Sequence, residues 1–196
     1  MDTTVTTVPP PPVVTTVASS STTATRAMPS TTSTTMVTTT TEADAEGVVE
    51  EIRGLLYTDR QQLDVFVPEG GADAVVVLLH GRGGDRQRFE RQAGDIAAAG
   101  ALVYNVSWRY RPPRFIEGID DVACAVRYAR ATASEYGGDP QRVVVVGFSA
   151  GAWAGAVVGL SGDHEAGSCL VEEGSAFPDA FVGVSGAYDV ATTGPA

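Results

Sequence analysis

A chain of 196 residues, 43% of them hydrophobic, is long enough for one domain with a substantial core. Its formal net charge of -11 repels phosphate backbones, which argues against nucleic acid as a partner. No apolar run reaches the roughly 18 residues that a transmembrane segment requires.

Residues 1–45 are dominated by Thr, Ser, Val and Pro, including the run Pro9 to Pro12. Such a stretch has too little periodic apolar surface to offset the entropy of ordering, so a disordered spacer is expected there. Ser/Thr-rich tracts with Pro resemble stalks that hold extracellular domains away from a surface. Met1 is followed by Asp and Thr, with no basic region and no apolar region of a signal peptide. Localisation is therefore left open, with a secreted or cell-surface protein as one possibility, and the true start is left open too. Cys124 and Cys169 fit no metal motif and leave open either one bridge or two buried thiols.

From residue 46 onward, strand and helix patterns alternate. Val48–Tyr57 and Gln62–Val67 read as a hairpin joined by the polar turn Thr58-Asp59-Arg60. Ala74–Leu79 is a continuous apolar run, as for a strand buried on both faces. A helix over Arg86–Ala99 ends at Gly100, and Ala101–Val106 is the next strand. Ile119–Tyr136 carries an apolar stripe through Val122, Ala125, Val126, Tyr128 and Ala129, with Asp120 or Asp121 as the expected cap. Gly137-Gly138-Asp139-Pro140 stops it. Arg142–Gly147 is a valine-rich strand, Ala152–Leu160 a small-residue helix and Ala180–Ser185 a last strand. Strands separated by such helices imply right-handed crossovers and a mostly parallel sheet with helices on both faces, an α/β protein with an antiparallel opening edge.

Gly147-Phe148-Ser149-Ala150-Gly151 lies between a strand and a helix. Alone the pattern is weak, but its setting is the one a nucleophile elbow needs. A sharp strand-to-helix turn lifts the Ser149 hydroxyl off the sheet. Flanking glycines let backbones approach, and the Ala150 amide at a helix N-terminus can stabilise negative charge. Upstream, His80-Gly81-Arg82-Gly83-Gly84 follows a buried strand and can present the amides of Arg82 and Gly83 to the same oxyanion. The loop lacks the Lys-Ser/Thr and glycine spacing of phosphate-binding loops. His80 is expected to brace this loop rather than act as a base.

Leu78 to Gly84, Trp108-Arg109-Tyr110-Arg111-Pro112, Tyr136 to Pro140 and Gly147 to Gly151 follow one another in order. Together they resemble the α/β-hydrolase superfamily, in particular hormone-sensitive-lipase-like and feruloyl-esterase-like carboxylesterases. Gly183-Val184-Ser185-Gly186-Ala187-Tyr188-Asp189 is similar to the strand after the nucleophile helix in those enzymes. The resemblance covers about Val48 to Val190. It implies an α/β-hydrolase fold, Ser149 as nucleophile, and an oxyanion hole from the amides of Arg82, Gly83 and Ala150. It also implies a small-molecule ester substrate and no cofactor or metal. Arg82 stands where the lipase-like branch usually has glycine. In that fold the helices next to Cys124 and Cys169 usually share a face, so a bridge between them is reasonable.

The superfamily orders its triad as Ser, then Asp or Glu, then His. Only 47 residues follow Ser149, and their one histidine is His164. It lies in a polar stretch past the nucleophile helix and reads as a solvated loop residue. Asp189 ends a strand on the correct side, with a bracing role expected. The chain is thus expected to lack the acid, the histidine and the last strands of the fold, and to be close to inert by itself. The strand at Ala180–Ser185 is expected to form an open apolar edge. The alternatives are a non-catalytic hydrolase-like binding domain and a hydrolase of amide or peptide bonds. Oligomeric state is left open.

Overall fold

The computed structural model describes residues 49–110, 115–161, 169–171 and 173–188. The Thr/Ser/Pro-rich segment, His164 and Asp189 lie outside the described residues. Among those described, six strands form one sheet in the order β1-β2-β4-β3-β5-β6. These are β1 (Val49–Leu56), β2 (Gln62–Pro68), β3 (Val75–Leu79), β4 (Leu102–Val106), β5 (Val143–Phe148) and β6 (Ala180–Val184). β3 pairs in parallel with both β4 and β5, and β5 in parallel with β6. The hairpin β1–β2 adds the antiparallel edge, with β2 running antiparallel to β4.

The hairpin closes because the Thr58 hydroxyl oxygen accepts from the amides of Arg60 (3.2 Å) and Gln61 (2.8 Å). β1 shifts register between Ile52 and Leu55, where Gly54 has φ 72° and donates its amide to Asp64 Oδ1 at 2.7 Å. β3 lies at the centre, and all five of its residues are buried. That matches its uninterrupted apolar sequence.

Among the described residues three α-helices cover the sheet: α1 (Glu90–Ala98), α2 (Phe115–Thr132) and α3 (Ala150–Ser161). The first is preceded by a 3-10 turn over Arg86–Phe89, capped where Asp85 Oδ1 accepts from the Arg88 amide at 3.3 Å. Helix α2 begins at Phe115, not at Ile119, so neither Asp120 nor Asp121 is its cap. Gly118 argues locally against helix, which moves the sequence boundary downstream. A side chain at Gly118 would meet the Arg109 carbonyl oxygen at 2.0 Å and the Trp108 ring at 3.0 Å. The glycine is there because α2 packs directly on the chain leaving β4. Beyond Thr132 a 3-10 turn over Ala133–Tyr136 ends at Gly137, whose φ of 75° forms a left-handed cap.

The larger core lies between the sheet and α2/α3, and includes Val77, Leu79, Tyr104, Val122, Val126, Val145 and Val158. A smaller one, Phe66, Val76, Leu78, Val103, Ala93 and Ala97, lies under α1. Cys124 and Cys169 form a disulfide, joining α2 to the segment whose Leu170 amide donates to the Tyr57 carbonyl at 3.0 Å. No helix among the described residues is long and apolar enough to cross a membrane.

Candidate active site

Leu79 at the end of β3 pairs with Gly147 near the end of β5. The two chains therefore leave the sheet side by side, one into His80–Gly84 and the other into Phe148–Gly151. Ser149 has φ 52°, the left-handed region that a side-chain-bearing residue rarely occupies. The surroundings hold it there: its amide donates to the Val184 carbonyl at 2.8 Å, and its carbonyl accepts from the Trp153 amide at 3.1 Å. A Cβ on Gly147 would lie 2.3 Å from the Gly151 oxygen, and one on Gly151 would lie 2.5 Å from the His80 oxygen. Neither can be accommodated. The spacing of the two glycines around Ser149 follows from the turn packing on itself and on the neighbouring loop.

That loop is in contact with Ser149. A Cβ on Gly81 would be 3.2 Å from the Ser149 Cβ. The Gly84 amide donates to the Gly81 carbonyl at 3.1 Å, closing a β-turn with Arg82 and Gly83 at its centre. Gly83 has φ 67°, the sign that the third position of a type II turn demands. Arg82 and Gly83 are exposed, and no protein acceptor among the described residues engages their amides. Ala150 opens α3, where the first amides have no intrahelical acceptor.

His80 is buried, and both of its ring nitrogens are engaged. Its Nε2 accepts from the Trp108 amide at 3.3 Å, so Nδ1 carries the proton and donates to the Gly81 carbonyl at 2.8 Å. The Trp108 Nε1–H donates to the His80 carbonyl at 3.1 Å, and the two rings stack at 5.6 Å. Burial lowers the His80 pKa below the ordinary histidine range, only partly opposed by its bond to Gly81. A neutral imidazole bonded at both nitrogens is a brace for the loop, as its position in sequence implied.

Two charged networks hold this scaffold, and neither was evident from the sequence. The fully buried Asp121 accepts from the Arg109 amide (2.9 Å), Nε (2.8 Å) and a terminal guanidinium nitrogen (2.8 Å). This is a bidentate pair that anchors the chain after β4 to α2. On the other side Arg86 donates to Asp64 Oδ2 at 2.9 Å, and its carbonyl accepts from Asn105 at 2.7 Å. Asp121 was legible only as an acid near a helix start. Its true role depends on where the helix begins.

Beside Ser149 lies a recess of about 520 Å³ bounded by the glycine loop, Arg82, Arg88, Phe89, Gln92 and Phe148. Phe89 and Phe148 form a tilted ring pair with centroids 5.9 Å apart.

The model of the BD-FAE family matches residues 63–193, well over half of the chain. The chain belongs to the BD-FAE family. Over 96 residues it is 35% identical to Esterase LipC of Mycobacterium tuberculosis, covering 48% of this chain and 24% of LipC. Over 89 residues it is 38% identical to Carboxylesterase NlhH of the same species, covering 43% of this chain and 28% of NlhH. The matches thus span about a quarter of the length of these curated relatives. Esterase 2 of Thermogutta terrifontis, solved with propionate bound, superposes with a TM-score of 0.56 at 20% identity, covering 74% of this chain and 56% of that one. A thermostable esterase of Pseudomonas putida superposes with a TM-score of 0.50 at 26% identity, covering 60% and 39%. The fold is that of the α/β-hydrolase esterases, as the ordered motifs implied.

Proposed function

We propose that this chain carries the nucleophile half of a serine carboxylesterase site. Ser149 Oγ attacks the ester carbonyl, the alcohol leaves, and water then releases the acid from the acyl-enzyme. The observation that supports this reading is the left-handed Ser149 at a strand-to-helix turn, between two glycines that admit no side chain. As the carbonyl oxygen becomes negative, the amides of Ala150, Arg82 and Gly83 donate to it. Among the described residues no protein acceptor engages the Arg82 and Gly83 amides, which suits that task. The substrate is a small-molecule carboxylic ester, and the reaction so written calls on no cofactor. The esterase relatives support the same class.

Ser149 remains a weak nucleophile until a base takes its proton. His80 cannot serve, because Nε2 already accepts from Trp108 and Nδ1 already donates to Gly81. His80 is the one histidine among the described residues, so a histidine base would come from outside them. The same observation favours a second reading, a hydrolase-like domain that binds without turnover. A fluorophosphonate probe separates the two readings. We expect an adduct on Ser149, located by peptide mass spectrometry and absent from Ser149→Ala. A native, folded protein that stays unlabelled would move the assignment to binding.

A further inference from the structure

The recess beside Ser149 has a charge opposite to that of the chain. The sequence holds 24 acidic and 13 basic residues, yet the recess is lined by Arg82 and Arg88 and by no carboxylate. Among the described residues neither arginine has an ion-pair partner, whereas Arg53, Arg60, Arg86, Arg91, Arg109 and Arg130 all do. Nearby acids are engaged elsewhere. Asp85 caps the 3-10 turn through the Arg88 amide, and Glu90 pairs with Arg53. Among the described residues the Arg88 guanidinium makes only a long contact, 3.5 Å, to the Gly83 carbonyl. The remaining wall is the Phe89–Phe148 pair, with Phe148 immediately before Ser149 and 41% exposed.

We propose that this recess selects esters bearing a carboxylate, whose apolar body lies on Phe89 and Phe148 and whose anionic end reaches Arg82 and Arg88. Guanidinium groups present paired donors matched to a carboxylate, and the aromatic wall excludes water from part of the contact. The proposal rests on the esterase reading and names its substrate class. Arg82 serves twice in it: its amide faces the oxyanion and its side chain forms the rim of the recess.

Two matched ester pairs test it on the full chain. They are para-nitrophenyl hydrogen glutarate against para-nitrophenyl pentanoate, and para-carboxyphenyl butyrate against phenyl butyrate. The native protein should favour the anionic member of at least one pair by roughly tenfold in kcat/KM, as expected of partly exposed charge pairs. Arg88→Gln should reduce that ratio about threefold, and adding Arg82→Gln should bring it to the esters' intrinsic value. Comparing native and variant ratios cancels differences in ester reactivity. The preference should also shrink between about 0.01 M and about 1 M salt, as the Debye length falls from about 30 Å to about 3 Å. Turnover of both pairs with native ratios unchanged in the double variant overturns the proposal and leaves the esterase reading intact. If nothing is hydrolysed and Ser149 is unlabelled, catalysis fails, and calorimetry with the corresponding amides decides the recess. Salt-sensitive binding of the anionic amides that is lost in the double variant supports the proposal. Equal binding of charged and neutral amides, or none, overturns it.

Discussion

The two faces of the sheet carry similar residues and bury them very differently. On the face under α2 and α3, Val143 and Val145 are fully buried, and Phe181 of β6 packs against the same core. On the α1 face the alternate residues Val144 and Val146 are half-buried, while Val182 and Val184 are 48% and 43% exposed. The register puts Val145 beside Phe181 and Val146 beside Val182, so the contrast runs across neighbouring strands. Valine content makes a segment a strand. Whether its two faces are buried depends on a helix arriving to cover each, and among the described residues the cluster under α1 takes in β2, β4 and β3, with Val49 and Val146 packed against it but neither Val182 nor Val184.

The largest expected break in this comparison is the disulfide, which belongs to the well-covered face. It closes a 45-residue separation between α2 and Cys169. By loop-closure entropy a Cys124→Ala/Cys169→Ala variant should lose about 4 kcal/mol of unfolding free energy. Urea melts of native and variant protein, the native kept oxidised, measure it. An intermediate effect comes from matched truncations. Val145→Ala empties space in the larger core and should cost about 2 kcal/mol, whereas Val182→Ala should cost under about 0.5 kcal/mol. Equal losses would mean that the α1 face of β6 is covered in solution.

The smallest effect is a pH dependence from His80, at the seam between β3 and the chain after β4. Its pKa is lowered in the folded protein, so the unfolded chain binds the proton more readily. Stability is therefore fully present above the unfolded histidine value, near 6.5, and declines as pH falls toward the folded value. His80→Gln should lower stability at neutral pH and flatten that part of the profile, as read from urea midpoints across the range.

Much of this was legible in sequence because it depends on near neighbours. The order of strands and helices, the antiparallel first hairpin and the elbow around Ser149 all follow from local apolar patterns and glycine spacing. His80 was legible as a brace because it sits at a strand end, in a glycine loop. The start of α2 was not legible. Gly118 lowers local helix propensity, and the reason it is tolerated, the carbonyl of Arg109 pressing on the helix, lies nine residues away in sequence. Asp121 was misplaced for the same reason. The Arg82–Arg88 recess was not legible, since a loop and the next helical turn have to fold together before two arginines share one cleft.

The sequence by itself determined the α/β class, the strand-to-helix turn at Ser149 and the glycine loop that faces it, because each is a short-range pattern with a steric cause. Only the tertiary structure decided which of two cysteine states is realised, which valines are covered, and that His80 has no free nitrogen. Those outcomes depend on groups brought together from distant parts of the chain, where packing rather than local preference sets the balance.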